Sequence, residues 1–247
     1  MGLREIADGY DNTRLTLQRV ATHVLARRRW VQTRRFGLRV GADGIATPMF
    51  GDDDESLRVV GVTLFRERRI DGEARTTAVS IDGASLRALG AFADVDLAVA
   101  FSAGHDTPEI GDLDMPMSVD ADAVALITAW YRVGHEALDR TIAAHADAAA
   151  AAVQLWPEHF DLAVDLAAGR SRANFGVSPG DAFSAEPYAY VGPWDAARPG
   201  DPTYWNAPFG AVLNYAVPRT AADPVQRVAG FFAKGLELLT GAPPRVL

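Results

Sequence analysis

Residues 36–65 read FGLRVGADGIATPMFGDDDESLRVVGVTLF, and residues 66–81 continue as RERRIDGEARTTAVSI. Four segments here, FGLRV, IATPMF, LRVVGVTLF and RTTAVSI, have the β-branched and apolar content of strands. GADG, GDDDE and IDGE separate them and supply the glycine and aspartate of turns. The acidic run at 52–55 is expected at a solvated hairpin tip. Working outward, 13–29 is predicted to be a helix with Leu17, Val20, Ala21 and Val24 on one face. On the other side, Asp82-Gly83 opens a short helix over ASLRALGAFA (84–93).

The stretch 101–118, FSAGHDTPEIGDLDMPMS, has the glycine, proline and aspartate content of a linker. A long helix follows, capped by Asp120, with Val124, Ile127, Tyr131, Leu138 and Ile142 at helical spacing. It is expected to run into the alanine tract 148–152 and to stop at Pro157. Strand patterns then return as HFDLAVDLA, RANFGV, PYAYVG and GAVLNYAV. A final helix is capped by Asp223, with Pro224 at its first position, and ends at Gly241 and Pro243. Val225, Val228, Phe232 and Leu239 line its apolar face.

Both halves thus read helix, four strands, helix. A weak internal echo accompanies this: Phe36-Gly37, Ala46 and Pro48 recur as Phe175-Gly176, Ala185 and Pro187, and Arg87, Gly90, Phe92 and Ala93 as Arg227, Gly230, Phe232 and Ala233. The expectation is an α+β fold, largely antiparallel sheet with flanking helices, in two pseudo-repeated halves. Their bounds are 1–100 and 119–247, joined by the linker 101–118; one compact domain overall is the alternative.

Composition excludes several functions. The 247 residues include no cysteine, which removes disulfides, thiolate catalysis and cysteine-based metal centres. One lysine, Lys234, leaves no phosphate-binding loop of the lysine type, and no cofactor is expected. A net charge of −8 argues against a nucleic-acid partner. No apolar run is long enough for a membrane span, and no secretory signal opens the chain, so a cytoplasmic location is expected. The basic cluster in ARRRW and TRR (26–35) is read as complementing a helix C-terminus in preference to an anion or RNA site.

Three motifs invite a catalytic reading and lose it. Gly176-Val177-Ser178-Pro179-Gly180 matches G-x-S-x-G, but a nucleophile elbow needs a backbone N–H after the serine and a helix behind it. Pro179 has no N–H, turn residues follow, and all five histidines precede Ser178. HEALD (135–139) has Asp139 where the zinc-protease motif has its second histidine, and a polar helix face is preferred. His105 with Asp106, Glu109, Asp112 and Asp114 lacks the ligand alternation of a calcium loop, so a solvated connector is preferred. No metal is expected.

The densest chemistry lies in 156–215, with three of the five tryptophans and four of the six tyrosines. Tyr188 and Tyr190, two apart, face the same way in a strand. His159 and Asp161 have the same spacing and form the most credible acid–base pair, with Glu158 in support. A structural histidine at a strand entrance is the competing reading.

LWPEHFDLAVDLAAGR, YAYVGPW and FGAVLNYAVP resemble the second half of DUF5996, a family of bacterial proteins without an established activity. Asp11, Thr13 and FGLRVGADGIATPMF match its first half more loosely. The resemblance implies an architecture and no residue roles. The leading expectation is a small organic ligand held by Tyr188, Tyr190, Trp194, Trp205, Asn206, Asn174 and Asp181, with His159 and Asp161 as further polar anchors. One alternative is an enzyme using His159 with Asp161 or Glu158 as general base or metal site. The other is an interaction or homo-oligomerising module.

Overall fold

A computed structural model describes residues 2–168 and 171–241. Pro243 and the Gly169-Arg170 pair of the family resemblance lie outside them. The fold is α+β, with helices and two five-stranded antiparallel sheets. It divides into two compact units. Ile6–Thr128 with Leu155–Phe160 make the N-terminal unit; Met1–Glu5, Ala129–Gln154 and Asp161–Leu247 make the C-terminal unit. The division falls inside the helix Ala121–Ala144.

The N-terminal unit begins with α1 (Tyr10–Val20), a π-helical turn (Ala21–Ala26) and α2 (Arg27–Thr33). Leu17, Val20, Ala21 and Val24 are buried, as the helical spacing predicts. Then come β1 (Arg39–Val40), β2 (Gly44–Ala46), β3 (Ser56–Val60), β4 (Thr63–Ile70) and β5 (Glu73–Ser80), side by side in chain order. LRVVGVTLF is therefore two strands, not one. Gly61 takes φ 55, a left-handed value that glycine adopts at little cost, and the chain reverses between Val60 and Thr63. Asp52, Asp53 and Asp54 are exposed at a turn, as expected, but Glu55 is buried. It receives hydrogen bonds from Arg28 Nη2 at 2.8 Å and Arg66 Nε at 2.9 Å.

Helix α3 (Leu86–Phe92) is capped by Ser85, whose hydroxyl accepts from Ala88 N. The linker 101–118 contains no helix and no strand of the two sheets, yet it is held in place. Arg19 and His23, four residues apart and so on one helix face, donate to backbone carbonyls of the linker, and Arg27, four residues further, donates to the segment just before it. Arg19 reaches Ile110 O at 3.0 Å, His23 reaches Pro108 O at 2.7 Å, and Arg27 reaches Asp96 O at 2.5 Å. Arg28, Arg29 and Arg34 of the basic cluster are likewise spent on structure. Arg28 pairs with Glu55 and Asp94, Arg29 donates to Gly37 O, and Arg34 lies over the Trp30 ring.

Helix α4 (Ala121–Ala144) starts as predicted, with Asp120 Oδ1 accepting from Ala123 N at 2.8 Å. It stops before the alanine tract. A short 3-10 turn follows, Ala149 takes φ 42, and Ala151 N bonds to Asp165 O. Pairing to a neighbouring strand overrides alanine's helix propensity.

The second sheet has the order β10-β9-β8-β7-β6, from β6 (Gln154–Trp156), β7 (Asp161–Ala168), β8 (Ser171–Ser178), β9 (Tyr188–Pro193) and β10 (Ala211–Asn214). Both sheets are sequential meanders. The echo does not map strand onto strand, since Phe36 precedes β1 while Phe175 lies in β8. GAVLNYAV is only half strand: α5 (Ala216–Arg219) follows, and the Tyr215 hydroxyl donates to Arg4 O, with burial pushing its pKa up to about 12. Helix α6 (Pro224–Thr240) has its Asp223 cap and its left-handed Gly241.

In the C-terminal unit, α4 and α6 cover the face of the sheet that carries Phe175, Val177 and Val191. Phe232 meets Phe175 edge-on at 6.1 Å. Gly134 lies directly against the Val177 side chain, and Gly235 faces Val191. A side chain at either glycine would separate helix from sheet. The opposite face carries the candidate site.

Candidate functional site

The register of β7, β8 and β9 defines this face. Ala163, Gly176, Tyr190 and Val212 form one row; Ser178, Tyr188 and Asn214 form the next. Tyr188 and Tyr190 share the face, as predicted, with rings 6.2 Å apart. Gly176 lets Tyr190 lie across β8, because a Cβ there would sit 2.8 Å from Cε1 and Cζ of the ring. Across that gap the Tyr190 hydroxyl donates to Asp161 Oδ2 on β7.

Tyr188 makes the matching bond to Asp181 Oδ2. Asp181 Oδ1 meanwhile accepts from Phe183 N and Ser184 N, closing the Asx turn that follows β8. Burial is the main cause that drives both tyrosine pKa values above their ordinary range; Asp181 for Tyr188 and Asp161 for Tyr190 add to it. Both phenols therefore stay protonated and act as donors. Phe183 packs edge-on to Tyr188 at 5.5 Å and to Phe209 at 5.0 Å, and Phe209 lies 6.4 Å from Tyr190. Phe183 and Phe209 are exposed, whereas Tyr188 is buried. The result is an aromatic cluster with two carboxylates at its base.

Ser178 ends β8 and is 1% exposed. Its Oγ accepts from Gly180 N at 3.1 Å and its carbonyl from Trp130 Nε1 at 2.9 Å. No helix follows, so the G-x-S-x-G stretch is a strand end and a turn.

The remaining predicted residues do different work. Asn174 and Trp194 lie at the far end of the same face, where Trp194 Nε1 donates to Asn174 Oδ1 at 3.0 Å. Asn206 caps the free edge of β10, accepting from Val212 N at 2.8 Å and donating to Val212 O at 3.0 Å. Trp205 donates to Pro199 O and packs edge-on to Tyr204, which is stacked on Phe231 of α6. Phe183 and Phe209 escaped the sequence reading. Each sits in a loop where no periodicity marks its direction.

His159 does not belong to β7. The strand starts at Asp161, Phe160 takes φ 55, and residues 157–160 form a turn. The two-residue spacing therefore does not put His159 and Asp161 on one strand face. Within the N-terminal unit, His159 Nδ1 lies 3.4 Å from Asp106 Oδ2, and His105 Nε2 lies 2.9 Å from the same oxygen. The two imidazoles meet edge-on at 6.1 Å. Glu158 is buried beside Gly104, and its carbonyl accepts from Gln18 Nε2 at 2.7 Å. Asp114 pairs with Arg87 through both oxygens.

Among the described residues no group of three or more histidines and carboxylates is arranged to hold a metal ion. No helix among them is long and apolar enough to cross a membrane. No family model matches the chain, and neither does a curated protein or a solved structure.

Proposed function

We propose that the protein is a cytosolic binding protein for a small organic ligand, taken up on the tyrosine–aspartate face of the C-terminal sheet. The observation that carries this reading is the pair of hydrogen bonds Tyr188–Asp181 and Tyr190–Asp161, made on one face beside the exposed rings of Phe183 and Phe209. Such a surface offers flat apolar contact and a few placed acceptors, the chemistry that fixes an aromatic or alicyclic ligand by its donor groups. The absence of cysteine agrees with a cytosolic setting.

The test is a thermal-shift screen of metabolites and divalent metals on the wild type, on Tyr190→Phe and on His159→Ala. A compound that stabilises the wild type and loses its effect in Tyr190→Phe supports the proposal. A second reading, an enzyme with His159 as general base or metal ligand, draws on the shared Asp106 oxygen, which suits an imidazole held in one orientation. Metal stabilisation that disappears in His159→Ala favours that reading instead.

A further inference from the structure

Strand β5 is the outer strand of the N-terminal sheet, and seven of its eight residues are exposed. Its hydrogen-bonding register follows from the end of the ladder. Ile81 N bonds to Val62 O, directly opposite, so Val79, Thr77, Arg75 and Glu73 point their backbone groups inward to β4. Ala74, Thr76, Ala78 and Ser80 therefore point theirs outward. The other sheet treats its edge differently, since Asn206 caps β10 with its amide. Nothing among the described residues caps β5. The strand also has no proline and no bulge, two of the usual devices that block edge pairing.

The charge next to this edge has a definite sign. Arg75 lies directly opposite Arg68 of β4, so two guanidinium groups occupy neighbouring positions on one sheet face. Like charges placed this way repel. Neither has a carboxylate partner among the described residues, whereas Arg58, Arg66 and Arg69 each have one. A strand added outside β5 would meet Arg75 in a non-hydrogen-bonded pair, the arrangement in which side chains approach most closely.

We infer that β5 is a docking edge for an extended acidic peptide segment of a partner protein, which adds as a sixth strand and places a carboxylate against Arg75 and Arg68. The backbone groups of Ala74, Thr76, Ala78 and Ser80 supply affinity, and the arginine pair selects for acid. This site is independent of the ligand proposal, which concerns the other unit.

The test uses the whole chain and a fluorescein-labelled acetyl-(Val-Glu)4-amide peptide, read by fluorescence anisotropy, with the (Val-Lys)4 peptide as control. Thr76→Pro removes only an outward N–H, so it leaves the β4–β5 ladder intact. The wild type is expected to bind the acidic peptide. Thr76→Pro and Arg75→Glu are each expected to weaken binding at least about tenfold, and Arg75→Glu to gain affinity for the lysine peptide. Ala78→Pro, also outward-facing, replaces Thr76→Pro if that variant unfolds. Failure of the wild type to bind overturns the inference. So does loss of binding in Arg75→Glu with no loss in the proline variant, which would mean a charged patch and no added strand. Sedimentation velocity covers the remaining case: a dimer dissolved by Thr76→Pro would show that a second copy occupies the edge, and would also overturn it.

Discussion

Tyr190 lies across Gly176, its cross-strand neighbour, and reaches Asp161 on the strand beyond. Gly176→Ala should therefore destabilise the protein by about 1–3 kcal/mol through overpacking. The new Cβ meets the ring and also Leu162 O, at 2.8 Å. Combining it with Tyr190→Ala relieves only the ring's share. A double-mutant cycle by urea unfolding should give a coupling energy, with a residual cost from the carbonyl.

The hydroxyl of Tyr190 supplies the donor that Asp161 Oδ2 receives inside the sheet face. Tyr190→Phe should cost about 1–3 kcal/mol, because a buried carboxylate oxygen loses this hydroxyl donor. The pH dependence has a definite sign. Tyr188 and Tyr190 have folded pKa values above the ordinary 10.0, so the folded state holds these protons more tightly than the unfolded chain. Their contribution is complete below that value and declines as pH rises past it. Alkaline absorbance titration should show both phenols ionising only with unfolding.

Glu55 lies between Arg28 and Arg66, with all three side chains less than a tenth exposed. Removing the shared carboxylate leaves two buried guanidinium groups without it. Glu55→Gln should cost about 3–5 kcal/mol, measured by chemical denaturation. Asp94→Asn, at the exposed end of the same network, should cost less than about 1 kcal/mol.

His23 should make the linker contact sensitive to acid. Its Nε2 donates to Pro108 O, its Nδ1 is buried, and burial lowers its pKa below the ordinary 6.5. The folded state thus binds this proton more weakly than the unfolded chain. The stability is fully present above 6.5 and falls as pH drops toward the folded value. Hydrogen-exchange protection of 100–112, corrected for the intrinsic rate at each pH, should fall as the pH drops below 6.5. His23→Gln, which keeps a donor for Pro108 O and does not titrate, should remove that dependence.

The features legible in the sequence were those encoded locally. Helix caps at Asp120 and Asp223, the left-handed Gly241 and the shared face of Tyr188 and Tyr190 all follow from a few adjacent residues. Pro179 alone sufficed to dismiss a nucleophile elbow at Ser178. What escaped was set by distant partners. Glu55 looked like the last acid of a solvated tip until two arginines from other elements enclosed it. The alanine tract has helical propensity, yet its Ala151 N donates to Asp165 O on a neighbouring strand. Phe160 at φ 55 breaks the strand period that seemed to unite His159 with Asp161, and no rule of spacing foretells a left-handed phenylalanine. Phe183 and Phe209 join the tyrosines through loop geometry alone.

The most direct test of the ligand proposal is fluorine NMR of the protein labelled with 3-fluorotyrosine, titrated with compounds that raise its melting temperature. The six tyrosine resonances are assigned by single Tyr→Phe changes. Binding at the proposed face shifts the Tyr188 and Tyr190 signals at low occupancy and leaves Tyr10 and Tyr204 in place. Stabilising compounds that move Tyr10 or Tyr204 while Tyr188 and Tyr190 stay fixed would contradict it.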